Sequence, residues 1–340
     1  MLARRSNLNH PIGSVIDLPR LIPAFSSKGF PFTESSTNGR ISEVNRALEI
    51  AGPSITDSIL LSAYDIHHGY LTDPIKHLGN KELAFVDSGG YELSQDFEST
   101  EPKTMSYTPD TSYDRNAHID VLKNLPTSCP IVISNFDDQN RGTEIREQIL
   151  DAKRLFNNFG HFLHDFIIKP TRKADYVNPA EIEGYIENMR GFHIVGVTEK
   201  ELGNTMLKRL ICIAKLRNAL DRHSMSTPIH VWGGLDPVLT PLYFIAGAEL
   251  FDGLSWLRYG YLNDTAISRD SYNTIDQGVK APWRRAEAMR LSKNVIYLET
   301  LTIRMRRFVD EGTCDFSVFE KSADTIGKAY HTLRTEIPDA

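Results

Sequence analysis

Eight short apolar runs, each separated from the next by a longer stretch, constrain the fold of this 340-residue chain more than any other feature. They read RLIPAF (20–25), ILLSA (59–63), LAFV (83–86), IVIS (131–134), FIIK (166–169), HIVGV (193–197), IHVW (229–232) and ELFDGL (249–254). Runs this short and this apolar are the pattern of strands buried on both faces. Parallel strands need a crossover between them, usually a helix. The intervening stretches supply it: ISEVNRALEIAG (41–52), with Gly52 as a candidate cap, and TEIREQILDAKRLFNNFG (143–160), with Ile145, Ile149, Leu155, Phe156 and Phe159 on one face and Thr143 as a candidate cap. KELGNTMLKRLICIAKLRNALDRH (200–223) is the longest helical pattern, and DPVLTPLYFIAGA (236–248) follows the seventh run. Eight such units predict an α/β fold, a (β/α)8 barrel, with a doubly wound open sheet as the alternative.

Two regions depart from the rhythm. Residues 94–118 are polar and rich in Ser, Thr and Pro, and read as one long loop, the kind that in compact domains usually serves function. Residues 281–307 form a helical, basic stretch in which seven Arg and Lys face two Glu, a local charge of +5 in a chain whose net charge is -6. The barrel is expected to span 1–310, with 311–340 as a helical tail of the same domain. No run approaches the 18 apolar residues of a membrane span, and MLARRSNLNHP shows no apolar segment behind its basic residues. Cys129, Cys212 and Cys314 are odd in number and far apart, which suits a reducing, cytoplasmic setting without disulfides.

In a barrel of this kind, reactive groups sit at the carboxyl ends of the strands. Three strand ends carry acids: Asp87 after LAFV, Asp137 and Asp138 after IVIS, and Asp252 within ELFDGL. A lone acid there is most often a helix cap or a surface charge. Several converging on one mouth are costly to bury together unless chemistry uses them. A carboxylate pair is what glycosyl transfer needs, one as nucleophile and one as acid then base. Ser88, Gly89 and Gly90 follow Asp87, and glycine there lets a flat ligand approach the backbone.

FVDSGGYE (85–92) resembles the DSGGFQ motif of tRNA-guanine transglycosylases, and AGAELFDGLSWLRYGY (246–261) resembles their nucleophile motif. NFDDQ (135–139) is similar to a stretch whose Asp contacts the base, and IVGVTEKELG (194–203) to a degraded glycine-rich base-binding loop. The resemblance implies that Asp252 is the nucleophile and Asp87 the general acid/base. It implies that Ser88, Gly89, Gly90, Asp137, Lys169, Gly196, Val197 and Arg258 bind substrate, with Gly196 and Val197 beneath the base. Tyr91 and Tyr107 are candidates to stack on the base or simply to pack.

The departures point to a branch. The family's zinc subdomain carries a cysteine cluster and a His, and this chain has only Cys314 in that region, so no zinc or other cofactor is expected. His161 and His164 have ligand-like spacing but no further partners. Lys169 stands where the family has a Gln, YE replaces FQ, and SWLRY replaces Pro-Thr-Arg. These changes resemble the DNA-guanine transglycosylase branch, DpdA, which installs a 7-deazaguanine in DNA. The resemblance implies exchange of guanine for a base such as preQ0, DNA as partner and a partner protein of a modification system. Phosphate contacts would come from Arg284, Arg285, Arg304, Arg306 and Arg307, with a solvated helix face as the other reading. Trp256 and Trp283 are candidates to wedge or stack, and Trp232 to fill core. A zinc-less tRNA enzyme of the same chemistry and a non-catalytic nucleic-acid-binding paralogue are the alternatives.

Overall fold

A computed structural model of the chain describes residues 2–35, 39–94, 110, 112–137, 143–171, 174–312 and 314–337. Asp138, Tyr107 and most of the 94–118 loop lie outside the described residues. Eight parallel strands close into a barrel in sequence order. They are β1 (Arg20–Phe25), β2 (Ser58–Leu61), β3 (Leu83–Val86), β4 (Ile131–Ser134), β5 (Leu163–Ile168), β6 (Ile194–Thr198), β7 (Ile229–Trp232) and β8 (Leu250–Gly253). Each of the eight apolar runs overlaps one strand. The α-helices of seven residues or more among the described residues are α1 (Glu43–Ala51), α2 (Arg115–Lys123), α3 (Ile145–Phe156), α4 (Met206–Arg222), α5 (Leu239–Ile245), α6 (Arg269–Gln277), α7 (Trp283–Glu311) and α8 (Ala323–Glu336).

The period-2 alternation of strands divides the core in two. Inward positions Ile22, Ala24, Leu60, Leu83, Phe85, Val132, Leu163, Ile167, Ile194, Trp232 and Leu250 fill the barrel. Outward positions such as Val86, Ile133, Phe166, Val197, Val231 and Phe251 pack on the helices. A hairpin of Ser6–Asn9 and Val15–Leu18 adds Leu8, Ile16 and Leu18 to the interior cluster and plugs the barrel at the strands' amino ends. Arg20 is buried at that end and pairs with Asp57 and Glu82. One end of the barrel is thus closed by apolar and paired groups, which leaves the carboxyl ends to form a cavity.

Several local expectations change. Gly52 is the C-cap of α1 as expected, but in a right-handed conformation that leads into a short 3-10 turn. The cap position of α3 falls on Glu144, not Thr143. Helix α2 starts inside the stretch read as a loop, because the Asp114 carboxylate accepts from the Asn116 and Ala117 N–H groups, both at 2.9 Å. The longest helix is α7, with 29 residues, and not the 17-residue α4. α8 packs against α4 and α5, so the tail joins the barrel's own helical layer. No helix among the described residues is long and apolar enough to cross a membrane.

Candidate active site at the barrel mouth

A cavity of about 1100 Å³ opens at the carboxyl ends of the strands. Asp87, Ser88, Gly90, Asp137, Lys169, Asp252 and Arg258 all line it, and so does Trp232. The two acids of the proposed pair come from β3 and β8, so they face one space from separate arcs of the barrel.

Asp87 follows β3 at an inward position. Its Oδ1 accepts from the Gly89 N–H at 3.0 Å and the Ala63 N–H at 3.3 Å. It keeps partial exposure to the cavity, but protein surrounds it elsewhere. Burial, then the charge of Glu92, pushes its carboxyl well above the usual range, and the two N–H donors only partly offset this. Glu92 itself is fully buried, and burial raises its pKa against the Ser26 and Ser62 hydroxyls beside it. Asp65 is fully buried behind them; burial and then Glu92 raise its pKa, against the Ser27 N–H and hydroxyl that it accepts from. Three carboxyls thus share a pocket in which full ionisation is unfavourable, and this biases Asp87 toward its protonated form.

The glycines after Asp87 are required by crowding as well as by turn geometry. Gly89 has φ +74°, and a Cβ there would stand 2.6 Å from Cβ of Tyr64. A Cβ on Gly90 would stand 2.5 Å from Cβ of Asp137, so the loop after β3 and the loop after β4 touch at this point. Ser88 is buried, with its hydroxyl accepting from the Gly90 N–H at 3.3 Å. Arg258 donates to the Tyr91 hydroxyl at 3.0 Å, and buried Lys28 donates to the Tyr91 carbonyl at 2.9 Å while lying 4.4 Å over its ring. Tyr91 is therefore pinned at the rim.

On the far side, Lys169 Nζ pairs with Asp137 at 2.8 Å and Glu201 at 3.3 Å, and donates to the Thr198 hydroxyl at 3.1 Å. Burial opposes its charge, but the two carboxylates outweigh it and raise its pKa. Lys169 thereby fixes the orientation of Asp137.

Asp252 is 6% exposed. Its Oδ1 accepts from the Gly233 N–H at 3.0 Å and lies 3.2 Å from Nε2 of His230, in ion-pair contact but out of line for a hydrogen bond. Nδ1 of His230 in turn contacts Oδ2 of Asp165 at 2.6 Å. Both His230 and Asp165 are fully buried. Burial works against charge on the imidazole, but Asp165 and Asp252 outweigh it and push its pKa up to about 9. Burial likewise raises Asp165, with His230 pulling it back. The two carboxylates thus favour the charged form of the ring.

Other expected site residues sit elsewhere. Val197 points outward into the helix-facing core and Gly196 faces inward beneath Trp232 and Asp165; neither is among the described residues lining the cavity. Trp256 is fully buried, its indole N–H bonded to the Ala24 carbonyl at 3.1 Å, so it is core and not a wedge. Trp232 lines the cavity as well as filling core. Arg284 and Arg285 are exposed near the mouth, since α7 is anchored there by Arg290, which donates to the Trp256, Leu257 and Tyr259 carbonyls just beyond β8. Arg304 pairs with Asp264 and Glu320, and Arg307 with Glu311. Arg306 donates to the Asp17 and Pro19 carbonyls at the closed end. Arg304 and Arg306 thus contact other parts of the protein, whereas Arg307 makes an exposed pair within its own helix.

No family model and no curated protein matches the chain. The site residues absent from the sequence-based expectations are Asp165, His230, Glu92, Asp65 and Lys28. A readable signal existed for two of them: Asp165 and His230 fall at inward positions of apolar strands, where a polar residue needs a reason.

Proposed function

We propose that the protein is a base-exchange glycosyltransferase that replaces guanine in DNA by a 7-deazaguanine of preQ0 type, through a covalent Asp252–sugar intermediate. The observation that carries this reading is the unlike environment of two carboxyls on one cavity. Asp87 is biased toward its protonated form by burial and by Glu92. Asp252 has one oxygen held by a backbone N–H and a cationic ring, and those contacts leave the other oxygen for attack. Opposed carboxyl environments of this kind assign the acid and the nucleophile.

In the first half-reaction, Asp252 forms a bond to C1′ as the bond from C1′ to the base nitrogen breaks, and the proton on Asp87 passes to the departing guanine. In the second, the incoming base gives its N–H proton to the Asp87 carboxylate and its nitrogen bonds to C1′. The ester breaks and Asp252 recovers its charge. Two displacements retain configuration, and no net proton or electron is consumed. Asp137, oriented by Lys169, would accept from the base's N–H groups. A base inside a duplex must first be flipped out, at a cost of about a few kcal/mol. DNA is favoured over tRNA by Tyr91 and Glu92, by SWLRY and by the missing cysteine cluster.

The test offers labelled preQ0 with guanine-containing duplex DNA and with tRNA, and traps the intermediate by denaturing quench. Label entering DNA, with an adduct absent from Asp252→Asn, supports the reading. Label entering tRNA only would overturn the choice of DNA. Undiminished exchange by Asp252→Asn would remove it as nucleophile, and DNA binding without any exchange would favour the non-catalytic paralogue.

A further inference from the structure

The buried contact of Asp165, His230 and Asp252 is not needed by the two-carboxylate chemistry as such. It is nevertheless built by three separate strands. Asp165 belongs to β5, His230 to β7 and Asp252 to β8, and all three occupy inward positions. β6 lies between β5 and β7, with Gly196 directly beside His230 in register. Because residue 196 has no side chain, Asp165 can reach the imidazole across β6. A Cβ there would stand 2.6 Å from Oδ1 of Asp165 and 2.5 Å from Nε1 of Trp232. Four strands are thus arranged so that a carboxylate contacts a histidine whose other nitrogen faces the nucleophile.

We infer that His230, held by Asp165, is a positioning residue that aligns Asp252 and stabilises its carboxylate, both before attack and as the leaving group of the second half-reaction. This rests on the base-exchange reading for its chemistry, but the geometry stands without it. The charged groups that face the ring are Asp165 from β5 and Asp252 from β8. Two aromatic rings also lie against it, Phe85 of β3 at 5.5 Å and Trp232 of its own strand at 4.3 Å between ring centroids. The two acids favour one buried imidazolium, against the desolvation that the surrounding rings impose. That cation is attractive to a second carboxylate nearby and holds one Asp252 oxygen, which leaves the other to face the cavity. Loss of the cation would leave Asp165 and Asp252 facing a neutral ring as buried like charges.

The experiment is a proton-NMR titration of the histidine ring signals of the intact protein, with His230 assigned by its absence from His230→Gln. It is run on wild type, Asp165→Asn and Asp252→Asn without substrate. The expected result is a His230 midpoint near 9 in wild type, displaced to lower pH in each variant. A wild-type midpoint near the ordinary histidine value overturns the inference. So does a midpoint unmoved by Asp252→Asn, since the ring would then be uncoupled from the nucleophile. If Asp165→Asn fails to fold, the Asp252→Asn comparison and the conservative Asp165→Glu still decide. In exchange assays, Asp165→Asn should lower kcat about 100-fold and move the acid limb of the pH profile upward, with partial recovery in Asp165→Glu. An unchanged kcat and pH profile in folded Asp165→Asn would also overturn it. Wild type inert on every nucleic acid but with the titration as expected would sink the base-exchange reading and leave the coupled triad standing.

Discussion

A Cβ on Gly196 would stand 2.6 Å from Oδ1 of Asp165, so the space that a side chain on β6 would fill is given over to a carboxylate from β5. Gly196→Ala is therefore expected to displace Asp165 or Trp232, and with it His230. Overpacking of this kind costs about 1–3 kcal/mol. Urea unfolding of the variant should show a loss in that range, and exchange activity should fall with it. Full stability would mean that the interior has slack at this point and that Gly196 is not there to make room.

How much of this was legible in the sequence follows from parity and partners. The eight strands were readable because strands buried on both faces leave uninterrupted apolar runs. Asp165 was lost because the run FIIK began one residue after it, and a charged residue at a run's edge looks like a boundary. The strand in fact starts at Leu163. Val197 was placed under a base by resemblance, but one step along a strand turns a side chain to the other face, and Val197 packs outward. Asp87, Asp137, Lys169 and Asp252 converge as the motif order implied. Counting charge along α7 also ignores acids distant in sequence: Asp264 pairs with Arg304 at 2.9 Å, a contact no local pattern shows.

The raised pKa of Asp87 has a defined pH signature. The first half-reaction of the proposed base exchange would need its proton, so activity should decline as pH rises through that raised value. Glu92 is one cause of the shift. Glu92→Gln removes that charge, lowers the Asp87 pKa and should move the alkaline limb of the kcat/KM profile to lower pH. An alkaline limb that stays in place in a folded Glu92→Gln would separate Glu92 from Asp87.

Stability should respond to the same cluster in the opposite sense to an ordinary salt bridge. The folded-state pKa values of Asp65, Asp87 and Glu92 are raised. Their contribution is most favourable below the unfolded carboxyl range and is lost as pH rises through the folded values. Glu92→Gln removes one fully buried carboxyl from a cluster of like charges. At pH 8 it should gain about 1 kcal/mol over wild type, and that gain should shrink as pH falls toward 4. Denaturant melts at both pH values decide it, and a variant equally destabilised at both would refute the shared-proton picture.

Lys169 bridges Asp137 and Glu201. Lys169→Gln leaves both acids without their cation and, in the proposed reaction, would free Asp137 to turn away from the base. Because this acts on binding and not on the bond-breaking atoms, KM for the incoming base should rise about tenfold, equivalent to about 1.4 kcal/mol, with kcat little altered. Steady-state kinetics with varied base concentration separate the two. A fall in kcat at constant KM would instead place Lys169 in the chemical step.

The two ends of α7 should behave differently toward DNA. Twenty-two residues of helix separate Arg284 from Arg306, about 33 Å at 1.5 Å per residue. Arg284 and Arg285 are exposed at the mouth end, whereas Arg306 bonds to carbonyls at the closed end. If the first pair each neutralise a phosphate, changing both to Ala should reduce the slope of log affinity against log salt by about 1.8. Arg306→Ala should leave that slope unaltered. Arg304→Ala should also leave it unaltered but lower stability, because Asp264, 4% exposed, would lose its guanidinium partner. Binding isotherms at several salt concentrations distinguish these cases. A slope that changes for Arg306 and not for Arg284 and Arg285 would move the nucleic-acid surface to the closed end and away from Asp87 and Asp252.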